Sequence, residues 1–263
     1  MNSDIIPSLK LEMKSITCSE EMKKGRYNLS SKNYGIKCYV FNPFIPVVSG
    51  MHNNRDHRKI TVIDGVVGFT GGINIADEYI NEVERFGHWK DVGIRLEGEA
   101  VRELTKLFLI DFGINLKTSL NLPENLYPTC NIKDNGYVIP FGDGPKPLYE
   151  RRVGKTIIQN ILATATKYVY ITTPYLIIDN SMKTLLMMAA KSGIDVRIVT
   201  PHIPDKWYVH HVTQYNYLEL LEAGVRIYEY TPGLCLGDKT VIALGSCSQI
   251  SQSRQFTLHD PGA

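Results

Sequence analysis

The chain has 263 residues, 43% of them apolar and 21% charged. This is ordinary globular usage and excludes collagen, coiled coil and wholesale disorder, while the length admits one or two domains. Against 27 acidic residues stand 29 basic ones, a net charge of +2, which argues against nucleic acid as a partner but suits an anionic lipid surface or a phosphate substrate.

Residues 1–33 show no clear period. Gly35 then opens a strand-like run, Ile36 to Phe41, ended by Asn42-Pro43. A second strand pattern, Lys59 to Ile63, meets Asp64-Gly65, the dipeptide of a two-residue hairpin, with Val66 to Thr70 returning. Val92 to Leu96 predicts another strand. Gly98 to about Phe112 predicts a helix, with Val101, Leu104, Leu107 and Phe108 on one face. Residues 115–148 are rich in proline, glycine and asparagine and read as a connection between lobes.

Beyond the connection, helix and strand alternate. Helices are expected over roughly 153–166, 181–191 and 206–222, the last two stopping at Gly193 and Gly224. Strands are expected at Tyr168–Thr173, Ile194–Thr200 and Val225–Tyr230. This order defines an α/β lobe whose helices cover a sheet. Met182, Met187 and Met188 are expected to fill its core.

The run Gly35-Ile36-Lys37-Cys38-Tyr39-Val40-Phe41-Asn42-Pro43 recurs as Gly224-Val225-Arg226-Ile227-Tyr228-Glu229-Tyr230-Thr231-Pro232. Chance likeness between two helix-to-strand junctions would produce such a pair. Duplication of a half would too, and is the working reading.

After the first copy come His57, Lys59, Asp64, Gly71, Gly72 and Asn74. Residues two apart on a strand share a face, so His57 and Lys59 lie together, and the hairpin can return Asn74 towards them. Imidazole, ammonium and amide suit phosphoryl chemistry. Histidine can attack phosphorus, and lysine and asparagine can hold the non-bridging oxygens. No metal or cofactor is needed, because the cation is built in. Taken alone, one histidine near one lysine would be a solvated strand end.

The whole pattern is more demanding. His-x-Lys, four residues, Asp, six residues, Gly-Gly-x-Asn resembles the motif of the phospholipase D superfamily. Phe41-Asn42-Pro43-Phe44 before it, Asn74 to Tyr79 after it, Phe86-Gly87-His88-Trp89-Lys90-Asp91 and Leu96 to Val101 narrow the likeness, as do Thr172-Thr173-Pro174-Tyr175 and Thr200 to Lys206. Over roughly residues 34–233 the chain resembles bacterial cardiolipin synthases of this superfamily. The fold implied is the phospholipase D-type two-lobe α/β sandwich. Its first lobe (1–114) is expected to be truncated, 115–148 to connect, and its second lobe (149–263) to be incomplete.

The activity implied is transfer of a phosphatidyl group from one phosphatidylglycerol to another, yielding cardiolipin and glycerol. His57 would be the nucleophile, Lys59, Gly72 and Asn74 the phosphate holders, and Asp64 the acidic member of the motif. Asp91 stands where relatives keep a carboxylate that orients the histidine, though a surface strand-edge charge is an equal reading. The family pairs two motifs, and the second histidine serves as general acid and base. By the internal repeat it belongs after Gly233. Lys239 matches the lysine there, but the histidine position reads Gly237, Gly245-Ser246 stands for the glycine pair, and Ser248 for the asparagine.

Two alternatives follow from that broken motif. A homodimer could work as a phosphodiesterase, each chain lending one motif, or the chain could be a non-catalytic lipid- or phosphate-binding remnant. His202, His210 and His211 lack partners at ligand spacing, so no metal is expected. Phe44 to Val48 could dip into a bilayer, with Arg55, Arg58 and Lys59 meeting phosphates, or pack as a loop over the site. Five scattered cysteines, at 18, 38, 130, 235 and 247, show no CxxC spacing and point to a reducing compartment. With no signal pattern and no long apolar run, the expected place is the cytoplasmic face of the membrane, held peripherally.

Overall fold

A computed structural model describes residues 58–116, 137–143, 153–234 and 241–245. The expected strand at Ile36–Phe41 lies outside the described residues, as do His57, the Phe44–Val48 run, the five cysteines, Gly237 and Lys239. The chain divides into two compact units. One holds the residues up to Ala76 together with Asp91–Gly154, the other Asp77–Lys90 and the residues from Lys155 onward.

The first unit is built on an antiparallel sheet of β1 (Ile60–Ile63), β2 (Val67–Gly71) and β3 (Gly93–Glu97) in that order. The hairpin forms where Asp64-Gly65 predicts it. Both residues take positive φ, 53° and 68°, as the primed hairpin turns require. Pairing resumes at Ile63↔Val67, so the loop is one residue longer than the two-residue form expected. Alternation puts Ile60, Val62 and Leu96 on one face, against Leu104, Leu107 and Phe108 of α1 (Ala100–Leu116). A Cβ on Gly68 would lie 2.8 Å from Leu104 Cδ1, so the helix presses directly on the backbone of β2. The helical face read from the sequence is the buried one, with Val101 at 0% and Leu104 at 3% exposure.

The second unit carries a four-stranded sheet. After α2 (Val153–Thr164) come β4 (Tyr168–Thr172), α3 (Asn180–Lys191), β5 (Asp195–Pro201), α4 (Trp207–Tyr215), α5 (Tyr217–Glu222), β6 (Arg226–Tyr230) and β7 (Val241–Gly245). The order is β6-β5-β4-β7, with β4, β5 and β6 parallel and β7 antiparallel to β4. Val169, Ile171, Val196 and Ile198 bury one face under Leu162, Leu186, Ala189 and Leu220 of the helices. Met182 and Met187 pack against this core as expected. Met188 does not: one position further round α3, it is 60% exposed.

Two further differences have local causes. The single helix expected over 206–222 is broken at Asn216. Its backbone N–H bonds Thr213 O, three residues back, at 3.1 Å, while its side-chain amide donates to Val212 O and to Leu176 O. That exchange tightens the turn and re-aims the chain. The strand β7 was not expected, because its short apolar run becomes a strand only through pairing with β4. Lys239 precedes it closely, as Lys59 precedes β1.

Asp77–Lys90 is held in the second unit by backbone bonds from His88 N to Pro232 O (2.8 Å) and Lys90 N to Leu234 O (2.9 Å). The two stretches run so close that a Cβ on Gly233 would overlap the His88 backbone, and one on Gly87 the Pro232 carbonyl. Trp89 is buried beneath them, its ring 4.3 Å from that of Tyr79. Asn81, at φ 61°, grips both polar groups of the Trp89 backbone.

Candidate active site

The hairpin decides which motif residues meet. β1 begins at Ile60, which pairs Thr70, and Gly71 pairs Gly93. Lys59, Gly71-Gly72 and Asp91 therefore gather at one end of the first sheet, with Asn74 two residues beyond Gly72. Lys59 is 8% exposed, an uncommon depth for an ammonium and one that requires partners. Asp64 lies at the opposite end, in the turn. The intervening strand, at about 3.3 Å per residue, separates it from Lys59 by roughly 16 Å.

Gly72 is where the site is tightest. Its N–H bonds Val92 O at 3.1 Å, and any Cβ would overlap the Asp91 carboxylate. At Gly71 a Cβ would lie 2.5 Å from Val92 O. The glycine pair therefore lets β3 and Asp91 approach the backbone beside Lys59. Asp91 Oδ1 also accepts from Val92 N at 2.7 Å, which fixes the direction of the carboxylate. A buried cation, a held carboxylate and an amide side chain are suited to binding a phosphodiester and stabilising charge on its oxygens.

The second unit has its own polar cluster, at the carboxyl ends of its parallel strands, where α/β sheets bind ligands. Glu229 on β6 accepts from His202 Nδ1 at 2.7 Å and from the Tyr217 hydroxyl at 3.3 Å. That hydroxyl also bonds Thr200 at 2.6 Å, and burial pushes it above the usual tyrosine range. Tyr175 donates to Asp205 at 2.5 Å and lies under Lys206. Sequence reasoning weighed His202 only as a metal ligand. The β5–β6 register, Thr200↔Glu229, is what supplies its carboxylate, and no single-strand pattern reveals that pairing. Among the described residues no group of three His, Cys, Asp or Glu could hold a metal ion, and no helix is long and apolar enough to cross a membrane.

This architecture is the phospholipase D-type α/β fold. Residues 158–253 match the family described as cardiolipin synthase, PLD-like domain. The solved structure of phosphatidylserine synthase from Haemophilus influenzae superposes with a TM-score of 0.50 over 90% of this chain and 70% of that one, at 12% identity, a likeness of fold. A cardiolipin synthase of Halalkalibacterium halodurans is 41% identical over 224 residues, 84% of this chain and 44% of that protein. One from Geobacillus thermodenitrificans is 39% identical over 218 residues, 82% and 43%. An uncharacterised Streptococcus mutans protein reaches 49% over 199 residues, 76% and 43%. Over most of its own length the chain is similar in sequence to bacterial cardiolipin synthases, and it spans under half the length of these curated relatives.

Proposed function

We propose that the chain carries phosphatidyl-transfer chemistry of the cardiolipin synthase kind, begun at His57. The observation that carries this reading is the convergence of buried Lys59, Gly72 and Asp91 at one sheet end, with Asn74 close by in sequence. His57 is two residues from Lys59, a span of at most about 7 Å. Its imidazole attacks the phosphorus of phosphatidylglycerol while Lys59 and Asn74 hold the non-bridging oxygens; the Gly72 N–H, expected from the sequence to share that task, is taken by Val92 O. The phosphorus–oxygen bond to glycerol breaks, and the departing alkoxide takes a proton. A second phosphatidylglycerol then gives up a hydroxyl proton, its oxygen displaces the histidine, and cardiolipin results. Asp91 keeps the imidazole in the tautomer that attacks. Both substrates are anionic lipids, so the reaction takes place at a membrane surface.

The proton carrier is the open element, since Gly237 occupies the position of the second histidine. That substitution is what favours the second reading, a lipid-binding remnant without turnover. Incubation with phosphatidylglycerol vesicles separates the readings by product. Cardiolipin with one glycerol released per molecule formed, abolished in His57→Ala, supports transfer. Phosphatidic acid instead means that water is the acceptor, as in a dimeric phosphodiesterase, and light scattering would then have to find a dimer. Vesicle binding with neither product leaves the remnant.

A further inference from the structure

Arg58 stands between His57 and Lys59, the proposed nucleophile and phosphate holder, and the reaction above gives it no task. The ladder of β1 begins at Ile60, paired with Thr70, so residues 57–59 lie ahead of the first strand pair. Strand ends fray, and side chains there keep their direction only when something besides the ladder holds the chain. Arg58 makes such a hold. A Cβ on Gly142 would lie 2.5 Å from Arg58 Nη1 and 2.8 Å from Cδ2 of Leu107 on α1. Leu107 in turn packs against the core cluster of Ile60, Leu104 and Phe108. One reading of the sequence has Arg58 meeting lipid phosphates; its guanidinium is seated beside α1 instead. The seat itself is anchored. Asp143 accepts from Val153 N at 2.7 Å and from Gly154 N at 2.8 Å, which ties Gly142 to the first turn of α2. A Cβ on Gly154 would lie 2.8 Å from Asp143 Oδ2 and 3.4 Å from Phe141 Cε2, so that turn is closely packed too.

We propose that Arg58 is a positioning residue for the candidate nucleophile. Its guanidinium, seated at Gly142, fixes the chain between His57 and Lys59. In an extended chain the neighbours of a residue point away from it, so both side chains then project from the other side of the sheet towards one phosphodiester. Arginine suits the task, because its planar, rigid fork lies flat against a backbone that glycine leaves bare. Any side chain at Gly142 would occupy the seat. Arg58, Leu107, Gly142, Asp143 and the first turn of α2 all belong to the first unit. This inference rests on the transfer at His57 proposed above and names what aims the residue that begins it.

The full chain is compared with Gly142→Ala, Arg58→Lys and the double variant. The alanine methyl meets the end of a flexible side chain, so Gly142→Ala should fold and displace the guanidinium. Lysine keeps the charge and loses the fork, and Arg58→Lys carries the test alone if Gly142→Ala does not fold. With phosphatidylglycerol vesicles, the rate of phosphatidyl-adduct formation should fall about 10- to 100-fold in each single variant, the loss expected of a slightly misdirected group. The lipid concentration at half-maximal rate should stay within about twofold of the parent's, since the contact acts on the step and not on binding. The double variant should be no slower than the slower single one, because both changes break one contact. Adduct formation at the parental rate, a loss confined to lipid binding, or losses that multiply in the double variant overturn the proposal. A readout without lipid separates positioning from transfer. His57 is ethoxyformylated with diethyl pyrocarbonate, and its peptide is resolved by mass from those of the other histidines, seven in all. The label should enter several times faster in the variants, whose His57 is no longer held beside Lys59. If the parent makes no adduct, the transferase reading falls, and faster labelling in the variants keeps the positioning role. Labelling at the parental rate or slower overturns it.

Discussion

Asp91 and Gly72 occupy one tightly packed spot, and their substitutions should separate packing from chemistry. Gly72→Ala places a methyl on the Asp91 carboxylate, and the overlap should cost about 1–3 kcal/mol of first-unit stability by chemical denaturation. Asp91→Asn keeps the shape and removes the charge. If Asp91 orients His57, that variant should melt like the parent but form the phosphatidyl adduct more slowly and with a displaced pH profile, whereas a packing role would move neither. Asp64 is set apart by its place in the turn. Asp64→Asn should be nearly neutral, because asparagine tolerates positive φ, and Asp64→Val should cost about 1–2 kcal/mol. The Asp-Gly turn was legible because its backbone requirement is local. The Asp91–Gly72 contact was not, because it is made by pairing between β2 and β3, and nothing in either strand alone reports the distance.

Among the elements, the break between α4 and α5 is the feature most exposed to a single change. Asn216 is 5% exposed, and its amide satisfies the buried carbonyl of Leu176 at 2.9 Å. Asn216→Ala should cost about 1–3 kcal/mol, read as a lower denaturation midpoint, because that carbonyl loses its donor. Periodicity made the helices and parallel strands of the second unit legible, and Gly193 and Gly224 ended them at positive φ, 86° and 93°. The same periodicity ran straight through Asn216, since apolar positions recur on both sides of the break and the bond that interrupts it comes from Leu176, forty residues away. β7 was missed for a different reason. Its pattern is a short apolar run, Val241 to Leu244, which becomes a strand through pairing with β4.

For the whole molecule, the second unit should show a distinctive acid response. Asp195 is held below the usual carboxylate range, first by its bonds from Arg197 and then by the Tyr170 hydroxyl. Asp179, which caps α3 through Met182 N, is depressed chiefly by its bond from Lys155. A carboxyl depressed in the folded state contributes stability above its unfolded value, near 4, and loses that contribution as pH falls through the folded value. On this account Tm should be level between about pH 7 and 5 and drop below about pH 4, with a shallower drop in Arg197→Gln. Fold type and kinship were legible at this scale because the first motif and its neighbours survive nearly unbroken, and the relatives bear that resemblance out. How a chain with Gly237 in place of the second histidine would complete a turnover was not legible, since that residue would have to be supplied from elsewhere in space. The central claim, a covalent step at His57, is tested most directly by intact-protein mass after brief exposure to phosphatidylglycerol vesicles. The account predicts one phosphatidyl group added to the parent chain and none to His57→Ala. An unmodified parent chain, or an adduct that persists in His57→Ala, would contradict it.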